Sequence, residues 1–160
     1  MTEMTAAQSR NLHVGIDIGS TTVKAVVLDA DTNEELFGVY RRHGSQQIQA
    51  TLRVLDEIVA RFPLAHIRCA LCGSGSEDIA HGIGAPFIQE VVAGATAVRA
   101  LYPQANCTIE LGGQDAKMIF FRHDESGVQE LGDMRMNGSC AGGTGAFIDE
   151  VAEVLSIPVE

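Results

Sequence analysis

The chain has 160 residues, of which 46% are hydrophobic and 20% charged, enough for about one folded domain with its own core. Its formal net charge of −10 argues against nucleic-acid binding, which needs a basic face. No apolar run reaches the ~18 residues of a membrane span, and the first residues lack the pattern of a signal peptide. We therefore predict a cytoplasmic, ligand-binding α/β protein whose four cysteines are reduced thiols or metal ligands.

The hydrophobic pattern predicts strands and helices that alternate along the chain, behind a disordered leader at residues 1–11. We expect strands at residues 13–29 with a break at 19–21, then 35–41, 67–72, a short one near Phe87, 106–111 and 117–122. We expect helices at residues 48–62, 76–81, 90–101 and 146–155, the first of which ends before Pro63. Residues 123–127 read as a turn, and residues 137–145 as a glycine-rich loop.

One segment of the chain occurs twice. Residues 16–24 align with residues 109–117 at a constant offset of 93. Each copy has a carboxylate inside an apolar strand, a glycine turn, a lysine and a second apolar strand; the carboxylates are Asp17 and Glu110. Strand alternation places Asp17 on the face opposite Ile16 and Ile18, beside glycines that leave a ligand free to approach.

The duplicated carboxylates favour a site for the phosphates of a nucleotide, held through Mg²⁺. A carboxylate inside a strand is costly unless it is paired or bound to a metal, and Mg²⁺ uses few protein ligands and keeps several waters. We predict that Asp17 and Glu110 hold Mg²⁺ through water. The predicted phosphate contacts are the glycines, hydroxyl residues and lysines of the two turns: Gly19, Ser20, Thr21, Thr22, Lys24, Gly112, Gly113 and Lys117.

Two neighbouring residues of the second turn are candidates for positioning the attacking water. Gln114 has a side chain of the kind that orients water in unrelated nucleotidases, and Asp115 follows it directly. In-line attack requires positioning and charge neutralisation more than a strong base. The pattern leaves both residues open as the catalytic group.

The two turns resemble the phosphate loops of the superfamily of acetate and sugar kinases, chaperone ATPases and actin. The first loop is Asp17-Ile18-Gly19-Ser20-Thr21-Thr22-Val23-Lys24, and the second is Ile109-Glu110-Leu111-Gly112-Gly113-Gln114-Asp115-Ala116-Lys117. The second loop and the later segment Met136-Asn137-Gly138-Ser139-Cys140-Ala141-Gly142-Gly143-Thr144-Gly145-Ala146-Phe147 are similar to the ATP-dependent activators of 2-hydroxyacyl-CoA dehydratases and the ATPase subunits of benzoyl-CoA reductases.

The resemblance implies a ribonuclease H-like α/β fold with a mixed five-stranded sheet and helices. Residues 12–104 would form the first ATPase lobe, and residues 105–160 the beginning of a second, truncated lobe. It also implies a homodimer that shares one 4Fe-4S cluster, with Cys140 in the position of a cluster ligand. ATP hydrolysis would then drive low-potential electron transfer to a partner dehydratase or reductase, without nucleic acid or membrane.

Three departures from the family pattern leave other functions open. Glu110 stands where Asp is usual, residues 73–75 replace a Tyr-containing glycine loop, and the chain stops at Glu160, so we expect an N-terminal fragment that is inactive alone. The alternatives are a small-molecule kinase of the same superfamily and a noncatalytic nucleotide-sensing or docking module of a fused protein. The Cys140 loop argues against the kinase, since phosphotransfer needs no thiolate there.

The remaining cysteines are interpreted as structural, and the histidines as surface residues. Cys69 and Cys72 have CxxC spacing, but positions three apart on a strand face opposite ways, so we expect both to pack in the core. Cys107 has no companion and is read in the same way. The five histidines show no metal-ligand spacing, and His43 is interpreted as part of a solvated strand end.

Overall fold

The computed structural model describes residues 10–113, 115–136 and 145–158. The chain divides into two compact units, Met1–Ile88 and Gln89–Glu160. The first unit contains the first copy of the repeat and the second unit contains the second copy. The predicted lobe limits, 12–104 and 105–160, stay a prediction.

The order of strands and helices follows the hydrophobic pattern closely. The described residues form, in chain order, β1 (Asn11–Ile18), β2 (Thr22–Asp29), β3 (Glu35–Arg42), α1 (Gln47–Arg61), β4 (His66–Cys72), α2 (Glu77–Ile83), α3 (Glu90–Leu101), β5 (Cys107–Leu111), β6 (Ala116–His123), β7 (Gln129–Met136) and α4 (Gly145–Leu155).

The first unit is built on a mixed sheet in the order β3-β2-β1-β4. Strands β1, β2 and β3 pair antiparallel, whereas β4 pairs parallel with β1. The parallel pair needs a crossover connection, and α1 supplies it. This topology brings the end of β1 and the end of β4 to the same edge of the sheet, because parallel strands run in the same direction.

Strict alternation in β1 gives the sheet one buried face and one open face. Leu12, Val14, Ile16 and Ile18 are at most 3% exposed. They pack with apolar residues of β2 and with one side of α1, where Val54 and Ile58 are buried. The period of 2 in the strand and the 3,4 spacing in the helix are therefore both explained by a single shared core.

The sheet differs from the expected five strands. It has four strands among the described residues, and the expected strand near Phe87 is reduced to one parallel bridge with Leu71. Only residues 84–89 separate α2 from α3, and Pro86 has no N–H to give to a ladder. The leader also ends earlier than expected, because Asn11 already pairs with His66 in the parallel ladder.

The second unit has an antiparallel sheet in the order β5-β6-β7, together with α3 and α4. Strand β7 is absent from the predicted elements because its sequence lacks an apolar alternation. Only Gln129 is buried in it, and most of its other residues are exposed. Backbone pairing with β6, which no side-chain pattern reports, holds this strand in place.

The two copies of the repeat are covered on opposite faces. In the first unit the isoleucine face of β1 is buried and the Asp17 face is open. In the second unit Ile109 and Leu111 are 62% and 71% exposed, whereas Lys117 and Ile119, on the Glu110 face, are buried. The same strand pattern thus serves two different packing environments.

Within residues 10–113, 115–136 and 145–158, no helix combines the length and the apolar character that crossing a bilayer requires.

The two faces of α1 provide a test of the core. We expect Ile58→Ala to lower the free energy of unfolding by about 2–5 kcal/mol, since Ile58 is 1% exposed and its loss leaves a cavity. Val59 is 57% exposed, so Val59→Ala should cost less than about 0.5 kcal/mol. Chemical denaturation of both variants measures the difference; equal losses would contradict the assigned packing of α1.

Candidate functional site

Both copies of the repeat close their glycine turn in the same way. In the first, the Gly19 N–H donates to the Thr22 carbonyl at 2.9 Å. In the second, the Gly112 N–H donates to the Asp115 carbonyl at 2.8 Å. Each carboxylate lies directly across the hairpin from its lysine, Asp17 opposite Lys24 and Glu110 opposite Lys117. The sequence repeat is therefore also a repeat of backbone geometry.

Asp17 has one paired and one unpaired carboxylate oxygen. Its Oδ2 accepts a hydrogen bond from the Lys24 ammonium group at 2.7 Å. Its Oδ1 is buried and has no hydrogen-bond partner among the described residues. A buried acceptor without a partner is costly, so this oxygen is the atom of the site best suited to a missing polar ligand. A water of a hydrated Mg²⁺ would fit that requirement.

A second glycine loop lies against Asp17. Gly73 directly follows β4 with φ of +99°, and the Gly75 N–H donates to the Ile18 carbonyl at 2.9 Å. A Cβ atom at Gly73 would collide with the Ile18 carbonyl oxygen and with Asp17 Oδ1. The position therefore requires glycine. The parallel pairing of β4 with β1 is what brings the loop at residues 73–75 to the predicted metal carboxylate.

The hydroxyl residues of the first turn lie at the open end of the β1–β2 hairpin. Ser20 and Thr21 are half-buried, and Thr22 is buried as the first residue of β2. Within the described part of the chain, no hydrogen bond involves the N–H or hydroxyl groups of Ser20 or Thr21. These donors are therefore available to an anion that approaches the turn.

His43 is a contributor to this turn that the sequence interpretation missed. It is 5% exposed, and its main-chain N–H donates to the Thr21 carbonyl at 3.1 Å. Its ring Nε2 lies 3.1 Å from the Gly19 carbonyl oxygen. His43 follows Arg41 and Arg42, and this polar context predicts a solvated strand end. Only the antiparallel pairing of β3 with β2 reveals that it faces the turn.

In the second copy, Lys117 is shared between two carboxylates. Its ammonium group forms an ion pair with Glu90 of α3 and lies 3.6 Å from Glu110 Oε1. Burial alone would lower the pKa of Lys117, but the adjacent Glu90 and Glu110 carboxylates outweigh burial and raise that pKa above its ordinary value. Lys117 is thus a charged, buried side chain, and Glu90 is a neighbour that the sequence pattern did not indicate.

The second turn is described on both sides of Gln114. Gly112, Gly113 and Asp115 belong to it, and the Gly112 carbonyl accepts a hydrogen bond from the Gly145 N–H at 3.0 Å. This bond joins the turn to the first residue of α4, and hence to the end of the glycine-rich loop. Gln114 and Cys140 lie outside the described residues.

The other cysteines are only partly as predicted. Cys69 is half-buried against the core, and burial raises the pKa of its thiol, as expected for a packing residue. Cys72 is also half-buried. Cys107 begins β5 but is exposed, so the expectation that it packs in a core is wrong. In the part of the chain that the structure describes, no three His, Cys, Asp or Glu side chains group as metal ligands.

Comparisons with known proteins identify the family of the chain. Residues 14–160 match the BadF/BadG/BcrA/BcrD ATPase family. The (R)-2-hydroxyglutaryl-CoA dehydratase activating ATPase of Acidaminococcus fermentans is 27% identical over 148 residues, which are 91% of this chain and 54% of that protein. The activator of lactoyl-CoA dehydratase of Anaerotignum propionicum is 30% identical over 159 residues, 92% of this chain and 55% of that protein.

Solved structures support the same relationship. The activator of the 2-hydroxyisocaproyl-CoA dehydratase from Clostridium difficile, solved with bound ADPNP, superposes with a TM-score of 0.75 at 29% identity, covering 92% of this chain and 53% of that chain. The chain spans about half the length of the relatives it matches. The predicted α/β fold of the actin and chaperone-ATPase superfamily is confirmed, apart from its strand number.

The matched segment includes the glycine turns of both repeat copies, the Gly73 loop and the glycine-rich segment that precedes α4. By the extent of that match, the chain belongs to the BadF/BadG/BcrA/BcrD ATPase family.

Proposed function

We propose that these 160 residues supply the phosphate-binding part of an ATPase that activates a 2-hydroxyacyl-CoA dehydratase or a benzoyl-CoA reductase type of partner. The observation that carries the proposal is the buried, unpartnered Oδ1 of Asp17, placed between two glycine turns at the end of a buried strand. Membership of an ATPase family and the names of the relatives as dehydratase activators support the same function.

In this proposal, Asp17 and Glu110 hold Mg²⁺ through water molecules. Lys24 keeps Asp17 Oδ2 engaged, which leaves Oδ1 to accept from a metal-bound water. Glu110 is 43% exposed and lies close enough to Lys117 to be held in place by it. When bound, Mg²⁺ supplies charge neutralisation of the phosphate oxygens.

The phosphate groups would be bound by the donors of both turns. Ser20, Thr21 and Thr22 would donate in the first turn and Gly113 in the second. Gly19 and Gly112, whose N–H groups close the turns, would leave space for the phosphates to approach. Successive N–H groups in a tight turn form an anion-binding concavity that needs no positively charged patch, which reconciles phosphate binding with the acidic chain. Lys24 and Lys117 stay proposed phosphate contacts, and each would divide its three N–H donors between carboxylate and phosphate.

The attacking water would be positioned by Gln114 or Asp115. The Asp115 carbonyl closes the second turn, so its backbone is already fixed next to the Gly112 N–H. The Gln114 amide would act from the same turn. These chain groups orient the water for in-line attack, and the reaction leaves ADP and phosphate.

The iron–sulfur part of the proposal depends on Cys140 and on a homodimer, both implied by the family resemblance. We propose that Cys140 contributes one thiolate to a 4Fe-4S cluster shared between two copies of the whole protein. The Gly145–Gly112 hydrogen bond supports a link between the nucleotide and this cysteine loop, because any movement of the second turn would be transmitted to the start of α4. Such a link would couple ATP turnover to electron transfer.

The role of Asp17 is tested by Asp17→Asn in the whole protein. We expect Mg²⁺-dependent ATP hydrolysis to fall by at least about a hundredfold, because the amide cannot replace a charged acceptor for metal-bound water. Asp56→Asn, the same change on the exposed side of α1, should keep full activity. Release of phosphate measures both; undiminished turnover in Asp17→Asn would overturn the proposed phosphate site.

The cluster is tested with two cysteine variants of the whole protein, purified without oxygen. We expect Cys140→Ala to lose its iron and its visible absorbance, because one ligand from each copy disappears. Cys107→Ala, which removes an exposed thiol, should retain both. Iron analysis and absorption spectra provide the readout. Iron that persists in Cys140→Ala would exclude this residue as a ligand.

The 160-residue chain by itself should bind ATP weakly. Phosphate contacts in open turns are screened by solvent, and the chain spans only about half the length of the relatives it matches. We expect a dissociation constant of roughly 1 mM or weaker, which corresponds to about 4 kcal/mol of binding free energy. Titration calorimetry tests this expectation, and micromolar affinity would reveal an adenosine site within these residues.

A further inference from the structure

The His43 ring makes two hydrogen bonds, and together they define its state. Nε2 faces the Gly19 carbonyl oxygen at 3.1 Å, and Nδ1 faces the Ser45 N–H at 3.1 Å. A carbonyl oxygen can only accept and a backbone N–H can only donate. Nε2 must therefore carry the proton and Nδ1 must be bare, so the partners assign a single neutral tautomer.

The backbone after His43 is bent to complete this arrangement. Gly44 and Ser45 both have positive φ, +53° and +62°. Serine in this left-handed region is uncommon and unfavourable. The bend places the Ser45 N–H against the ring, while the Gln46 N–H donates to the His43 carbonyl at 2.9 Å. The strained backbone at Ser45 is thus part of the contact that holds the imidazole in one orientation.

The His43 ring also fixes the orientation of one peptide in the glycine turn of the first copy. The peptide that joins Gly19 to Ser20 is planar, and all described peptides are trans. In a trans peptide the carbonyl and the N–H point in opposite directions. Because the Gly19 carbonyl points at His43, the Ser20 N–H points away from the ring. Without His43 this peptide could rotate, and its N–H would lose that direction.

We propose that His43 is a positioning residue for the first phosphate turn: by holding the Gly19 carbonyl, it aims the Ser20 N–H at a phosphate oxygen of the nucleotide. This inference rests on the proposed function. A pre-aimed donor costs no reorientation when the ligand arrives, so the ring contributes to affinity without touching the phosphate. The second bond, from the His43 N–H to the Thr21 carbonyl, holds the other end of the turn.

Two variants of the whole protein separate this role from simple packing. The side-chain amide of His43→Gln has its N–H as many bonds from the backbone as Nε2, so it can reach the Gly19 carbonyl. The amide of His43→Asn is one methylene shorter and lies at the level of Nδ1, so it cannot. We expect Mg²⁺–ATP affinity, measured by calorimetry, to fall about tenfold in His43→Asn and by less than about threefold in His43→Gln.

Val54→Ala is the control for lost stability, since Val54 is fully buried in the hydrophobic core of the first unit and belongs to α1, outside the first turn. It should lower the melting temperature and leave ATP affinity unchanged. Equal affinities of His43→Asn and the unmodified protein would overturn the role of His43, as would equal losses in the Asn and Gln variants. Failure of the unmodified protein to bind ATP, or undiminished binding in Asp17→Asn, would instead overturn the proposed function.

A measurement on the unmodified protein does not depend on the folding of any variant. In ¹⁵N NMR spectra, His43 should show a protonated Nε2 and a bare Nδ1, and the Ser20 amide proton should shift downfield when ATP and Mg²⁺ are added. A protonated Nδ1, or a Ser20 amide that ATP leaves unmoved, would contradict the proposal.

Discussion

Asp17 lies near the end of a strand whose other face is fully buried, and this placement organises the first glycine turn around it. Ile16 and Ile18 anchor β1 in the core, so Asp17 has no freedom to move away from the opposite face. One of its oxygens is held by Lys24 and the other is buried without a partner. An unsatisfied buried acceptor costs about 1–3 kcal/mol. Such a group is retained where a ligand is expected to satisfy it.

Several chain segments that are distant in sequence converge on this carboxylate. The turn after β1 provides N–H and hydroxyl donors, the parallel partner β4 delivers Gly73 beside Oδ1, and β3 delivers His43 behind the turn. Each of these contributions follows from strand pairing. At Gly73 there is no space for a side chain, and the two hydrogen-bond partners of the His43 ring allow one tautomer. The site is therefore organised by backbone geometry more than by charge.

The second copy has the same hairpin as the first, but its lysine has different neighbours. Its lysine is buried, shared with Glu90 of α3, and has a raised pKa because two carboxylates surround it. In the first copy the lysine serves Asp17 from the open face of the sheet. A duplicated element thus gives two carboxylate–lysine pairs, one whose lysine is buried beside α3 and one whose lysine is half-exposed.

Much of this fold could be predicted from residue patterns, because burial is periodic. The alternation in β1 and the 3,4 spacing in α1 define one core, and both elements are where the pattern places them. The pattern could not indicate β7, whose residues are mostly exposed, nor limit the bridge at Phe87 to one residue. The carboxylate repeat was visible in the sequence. His43 and Glu90 were not, because their roles arise from contacts across strands and between helix and sheet.

Paramagnetic Mn²⁺ in place of Mg²⁺ would show in NMR spectra of the whole protein with ATP whether Asp17 and its neighbouring turns bind a metal–nucleotide complex. We expect the amide signals of Ser20 and Gly73 to be broadened beyond detection and to return when excess Mg²⁺ displaces Mn²⁺. The signal of Val59, on the exposed side of α1, should persist throughout. Sharp Ser20 and Gly73 signals alongside broadening elsewhere in the first unit would exclude binding at Asp17.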